Sequence, residues 1–279
     1  MLLRRRGPAH PADTETPVKP TSGASHSNLL FYDEIPPSYQ DNPFILCGYR
    51  PVTDSIRASL ASWLSLHNST VHIYSHLLPS ILFLVAEGAM YRYLHVRYSN
   101  ATIIDPICLG LSATYHTLRN YSAKVSNVWL RLDFVGIILL TLGNFVSGIF
   151  MVFCCESVLQ RIYWAMMITL SLVTAVMPAH PKCQDHRWRT FRVCAFVGTG
   201  LSGVAPLTHG VELFGLAQML KHLGMAYYLG EGLLLILGAI FYTLRIPELW
   251  RPGKFDIFGS SHQIFHVLVV LATRENETI

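Results

Sequence analysis

Seven apolar stretches, each close to the length that crosses a lipid bilayer, constrain this chain more than any other feature: residues 73–93, 101–118, 134–155, 162–178, 193–209, 225–244 and about 257–273. An α-helix needs roughly 20 mainly apolar residues, within about 17 to 25, to cover the hydrocarbon core. The loops between the stretches are short and polar, which leaves no room for a second folded domain. Only 14% of the residues are charged, against about 25% in soluble domains, too few to cover a water-facing surface. The sequence predicts an all-α integral membrane protein, a bundle of seven transmembrane helices.

Lys and Arg in the loops set the orientation, because the cytosolic side carries the excess. With the N-terminus inside, the inner side holds 16 of the 21 basic residues and the outer side keeps 5, namely Arg92, Arg97, Arg161, Lys221 and Arg274. The N-terminus is therefore expected in the cytosol and the C-terminus outside. That polarity is opposite to the seven-helix G-protein-coupled receptors, and their Asp-Arg-Tyr type signature is missing as well.

A net charge of +4 with scattered basic residues excludes a nucleic-acid binder, whose cations must cluster on one face. The six cysteines form no C-x-x-C pair, and their spacing suits neither a zinc ribbon nor a disulfide framework. Pro8, Pro11, Pro17 and Pro20 interrupt the region where a signal peptide needs a continuous apolar core. The chain thus divides into a disordered cytosolic tail (1–41), the seven-helix domain (42–273) and a short polar C-terminal segment (274–279).

Ionisable residues inside a span are costly and mark functional sites. In the orientation above, the second helix ends at S-A-T-Y-H (112–116), the third begins around Asp133 and the seventh carries His262 and His266 near its start. His116, Asp133, His262 and His266 then share one depth near the inner face. The i, i+4 spacing of His262 and His266 puts both rings on one helix face, a geometry suited to two ligands of one zinc ion. His116 would complete a three-histidine site with its fourth tetrahedral position open, as catalytic zinc requires. Asp133 is the candidate proton acceptor, and Ser112, four residues before His116, a candidate orienting hydroxyl. Back-bonding of Ser112 to its own helix is an equal alternative. His72 and His76 repeat the i, i+4 spacing at the inner end of the first helix. Spacing does not choose between the two pairs.

Longer strings add a resemblance. N-P-F-I-L-C-G-Y-R-P (42–51), H-N (67–68), I-Y-S-H (73–76), S-A-T-Y-H (112–116), L-D-F-V-G-I (132–137) and P-G-K-F-D-I-F-G-S-S-H-Q-I-F-H (252–266) resemble the progestin and adipoQ receptor family. That family includes the adiponectin receptors, fungal osmotin-receptor relatives and bacterial hemolysin III proteins. The resemblance, over residues 42–271, implies Zn2+ bound by His116, His262 and His266, with Asp133 beside it. It also implies hydrolysis of ceramide-type lipid amides, or a signalling receptor in which zinc is structural. Membrane lipids, a lipid-amide substrate and an extracellular protein ligand are the partners it suggests, in the plasma membrane or in the endoplasmic reticulum and other endomembranes. His72 stands where the family usually has Asn, which makes the second histidine pair incidental in that picture. His67 and His76 match positions that are not ligands and are expected to hydrogen-bond near the first helix. The last span also departs from the pattern: residues 262–273 make about 18 Å of helix against a core of about 30 Å. The seventh helix is expected to fall short of the outer leaflet, as in a truncated chain.

Overall fold

The computed structural model describes residues 29–93, 104–180 and 188–276. The tail over 1–28, the start of the second apolar window at 101–103, and residues 181–187 and 277–279 lie outside the described residues. Among the described residues ten α-helices follow one another: α1 (Ile56–Ala61), α2 (Thr70–Tyr93), α3 (Ile104–Leu118), α4 (Ala123–Phe153), α5 (Ser157–Ala179), α6 (Arg189–Leu201), α7 (Val204–Phe214), α8 (Leu216–His222), α9 (Met225–Leu244) and α10 (Ser261–Asn276). Among the described residues, five spans are long and apolar enough to cross a membrane: Thr70–Ala89, Ala123–Phe153, Ser157–Met177, Arg189–Phe214 (α6 and α7 together) and Met225–Leu244. The other two expected spans are shorter here. α10 is apolar over Ser261–Thr273, and α3 has 15 described residues.

Each long helix packs on the next in sequence, from α2 through α5 to α6, then α6 on α9, α9 on α10, and α10 back on α2. The bundle is therefore a closed ring, and its last helix lies beside its first. The apolar faces point outward. On α9, Leu229, Leu233, Leu237, Ile240 and Leu244 are exposed, while Glu231 and Gly238 are buried. Lipid solvates such a stripe, whereas a polar group at that depth must find a protein partner. Glu231 has one in Asn144 of α4, whose side-chain amide donates to its carboxylate.

Helix boundaries shift two sequence expectations. α4 starts at Ala123, where the Ser122 hydroxyl accepts the Val125 amide. Asp133 consequently sits inside the helix, about three turns from its start, rather than at its beginning. The capping serine recruits a polar first segment into the helix, which an apolar window starting at 134 does not register. α10 begins at Ser261, not near 257, because Gly259 has φ +81°. Only glycine takes that backbone conformation cheaply, and it ends the preceding turn.

Residues 29–41, assigned from sequence to the tail, are part of the fold instead. The Leu30 amide donates to the Tyr49 carbonyl at 2.7 Å, and Leu30 and Tyr39 pack on the buried Ile35, Ile45 and Tyr49. Residues 29–41 begin a strap, residues 29–50, that is tied to the loop between α9 and α10. Asp256 accepts the amides of Leu46 and Cys47 at 2.9 Å each, and the Asn42 side chain donates to Glu248 at 3.0 Å. Prolines and polar residues make the segment read as tail, yet its few apolar side chains have a long-range surface to bury against.

Candidate metal centre

Two helices bring three histidines together. His116 lies in the last turn of α3, and His262 and His266 lie in the first turns of α10. Each offers a ring nitrogen, and those three nitrogens lie within 4.8 Å of one another. His116 and His266 are buried, and neither ring nitrogen of His116 has a hydrogen-bond partner. Orphaned imidazole nitrogens are costly in a low-dielectric interior, and a metal ion is a group that removes the cost. The donor set fits zinc, which takes neutral imidazole readily.

The helix ends that carry these residues are closed by charge. Arg50, from the N-terminal strap, donates to the carbonyls of His116 at 2.6 Å and Thr117 at 3.0 Å, satisfying acceptors that the end of α3 leaves open. At the start of α10, the fully buried Glu248 accepts the Ser261 amide at 2.7 Å and the Ser261 hydroxyl. A cation at a C-terminus and an anion at an N-terminus both suit the helix dipole. Both devices hold the histidines at one level.

His266 is oriented further by α2. The Ser75 hydroxyl donates to the His72 carbonyl at 3.3 Å and lies 3.3 Å from His266 Nδ1. When Ser75 accepts from Nδ1–H, Nε2 is left as the lone-pair nitrogen of His266.

Asp133 and Ser112 face one another across the α3–α4 interface. Thr114 and Thr117 return their hydroxyls to carbonyls four residues earlier; Ser112 faces the neighbouring helix. The helices approach closely there: a Cβ on Gly136 would stand 3.2 Å from Cys108 Cα, tight enough that a larger residue would have to move the two helices apart by a few tenths of an ångström. Residues 112 with 133 and 108 with 136 define one antiparallel register. It sets Asp133 about one turn, roughly 6 Å along the axis, from the level of His116.

The second histidine pair lies in the same cluster. The His72 ring centre is 4.7 Å from that of His116, 4.7 Å from His262 and 5.0 Å from His266. His76 stacks on His266 at 3.9 Å, and its Nε2 lies 3.3 Å from the His266 carbonyl. The pairs at 72/76 and 262/266, rivals by spacing, are neighbours because α2 packs on α10. His67 hydrogen-bonds as expected: its Nδ1 accepts the Ser69 amide at 3.1 Å before the first turn of α2. Burial holds that ring neutral, its pKa down at about 3, with Arg50 adding to the shift.

A small recess at the histidine end of the bundle is lined by His262 and His72 together with Arg119, Arg189 and Asp41. The guanidinium of Arg189 lies 4.0 Å above the Tyr242 ring, and Tyr242 in turn contacts His262. Neither Arg50, Glu248 nor Ser75 was legible as part of the site, since each acts through backbone ends or ring orientation.

A multi-pass membrane bundle that gathers histidines from three helices at one end is the class of protein this architecture defines. The chain belongs to the haemolysin-III-related family, whose model matches residues 64–274. It is 35% identical over 252 residues to the adiponectin receptor protein of Drosophila melanogaster, covering 88% of this chain and 57% of that one. The ADIPOR-like receptor IZH2 of Saccharomyces cerevisiae is 32% identical, with 88% and 80% covered. Progestin and adipoQ receptor family member 3 of Homo sapiens is 31% identical, with 87% and 82% covered. The chain spans a little over half the length of the Drosophila relative.

Proposed function

We propose that this protein is a zinc-dependent hydrolase of lipid amides of the ceramide type, set in a seven-span bundle whose histidine end faces the cytosol. The observation that carries the reading is the convergence of His116, His262 and His266, with ring nitrogens within 4.8 Å of one another, one helical turn from a facing carboxylate and hydroxyl. Zinc held by three imidazoles supplies Lewis acidity toward an amide carbonyl and lowers the pKa of a water at its open position. Asp133 accepts and returns a proton at its carboxylate oxygen. The Ser112 hydroxyl orients that carboxylate. Apolar helices on every side keep bulk water from the acyl chain and leave the recess at Arg119 and Arg189 as the polar route.

The second reading is a signalling receptor in which the metal only staples the helices together. The fourth imidazole, His72, packed against all three, favours it, because a closed set of protein ligands is the mark of a structural site.

The test is hydrolysis of a defined ceramide by the purified, zinc-loaded protein, followed as released fatty acid, beside Asp133→Asn. Retained zinc with turnover lowered by about 100-fold or more is expected, the typical contribution of a positioned acid-base group. Absence of turnover from the zinc-loaded wild type on ceramide and on other lipid amides would leave the receptor reading.

A further inference from the structure

We propose that His72 is a fourth protein ligand of the metal, so that the resting centre is a four-imidazole site whose open position is occupied by a residue of α2. This rests on reading the cluster as a metal centre and adds a means of holding it closed.

Three observations carry it. The first is distance. Among the three converging histidines the ring centres stand 5.3, 4.8 and 4.9 Å apart, and His72 stands 4.7, 4.7 and 5.0 Å from them. The four centres therefore form a nearly regular tetrahedron. Imidazoles on one tetrahedral ion, with metal–nitrogen bonds of about 2.0–2.1 Å, place their ring centres roughly 5 Å apart.

The second is the state of the ring. His72 Nδ1 lies 3.2 Å from the Asn68 carbonyl oxygen, which can only accept, so Nδ1 carries the proton and Nε2 the lone pair. A histidine that ligates a metal commonly donates its other N–H to a backbone carbonyl.

The third is an unmet need. His72 is 7% exposed, and its Nε2 is buried without a hydrogen-bond partner. A buried acceptor with nothing to accept calls for a specific explanation. His76 also has one buried nitrogen without a partner, Nδ1, but it stacks on His266, whereas His72 lies against all three rings; His76 remains a packing partner. The nitrogens that already converge are those of His116, His262 and His266. His72, whose ring runs at 15° to that of His116, is the one that turns to join them when the ion binds.

The consequence is a centre that binds metal tightly and hydrolyses slowly until His72 leaves. The experiment uses the full chain purified in detergent and loaded with Zn2+ or Co2+, as wild type, His72→Asn, His72→Gln and His76→Asn. Zinc affinity is measured by chelator competition, the imidazole count by X-ray absorption and the coordination by the visible spectrum of the Co2+ form. Four imidazoles are expected in the wild type and in His76→Asn, and three in both His72 variants. Zinc affinity in the His72 variants is expected to fall by at least about 100-fold, beyond the 10- to 100-fold that loss of an outer-shell partner typically costs. An unchanged imidazole count and Co2+ spectrum in either folded His72 variant would overturn the assignment, even if affinity drops modestly. Three imidazoles in the wild type would overturn it as well. A wild type that takes up no metal would remove the metal reading itself, a result distinct from both. Ceramide turnover that rises in His72→Asn would add that His72 holds the site closed.

Discussion

The guanidinium of Arg50 closes the end of the helix that carries His116, its Nη2 donating to the His116 carbonyl oxygen at 2.6 Å. A residue from the N-terminal strap thereby fixes the depth of a metal-binding candidate on another element. Its second nitrogen bonds the Thr117 carbonyl at 3.0 Å and the Ser62 hydroxyl at 2.8 Å. Replacing Arg50 with alanine leaves those acceptors buried without a donor. Arg50→Ala is expected to lower stability by about 3 kcal/mol, the scale for losing hydrogen bonds to a buried charged group, and to loosen metal retention. Arg57→Ala, on the exposed face of α1, should do neither. Thermal unfolding in detergent and zinc content after dialysis against a chelator measure both effects, and equal behaviour of the two variants would contradict the capping role.

Metal content tests the cluster directly. His262→Ala and His266→Ala each remove one of three converging ligands, and each is expected to lose most of about one zinc ion per chain. Elemental analysis of the purified variants reads the result. Full zinc in the double variant would move the site to residues outside α10.

Cys47 provides a pH-dependent readout of the strap. The hydrogen bond with Asp256 pushes its thiol up to about 11 from 9.0, with burial adding to the shift. A raised thiol pKa means less thiolate, the reactive form, by about 100-fold at pH 8 for a shift of about two units. Alkylation of Cys47, followed by mass spectrometry of its peptide, should therefore be slow at pH 8 and should climb steadily toward pH 11. Asp256→Asn should speed it at pH 8. Equal rates in the two proteins would place the thiol outside the influence of Asp256.

Topology follows from the loop charges. Arg50, Arg57, Arg119, Lys124, Arg189, Arg245, Arg251 and Lys254 all flank the histidine end of the bundle, and the cytosolic side carries such an excess. A reporter fused ahead of Met1 should be cytosolic, and one placed in the α4–α5 connection at Cys155 should be on the opposite side. Both reporters on one side would show that the count of crossings between them is even, against the odd number expected.

What the sequence determined by itself is what depends on local pattern: apolar runs of span length, the charge bias of the loops, and the i, i+4 pairs that put two imidazoles on one helix face. Family membership was legible for a related reason, since its motifs are contiguous strings. His116, His262 and His266 could be named because each sits in such a string and at a helix end whose depth the spans define. Tertiary structure alone decided which pairs share a space. The pairs 72/76 and 262/266 have identical spacing, and only the packing of α2 on α10 puts His72 among the other three rings. The same holds for Ser112, whose hydroxyl had its own helix or a neighbour as partner until the α3–α4 approach at Gly136 brought Asp133 opposite it. Arg50 and Glu248 act on backbone groups remote in sequence, and residues 29–41 are ordered by apolar contacts with the rest of the strap. Helix propensity and hydropathy act within a turn or a span, whereas these contacts join residues through the closure of the ring, which a local pattern does not encode.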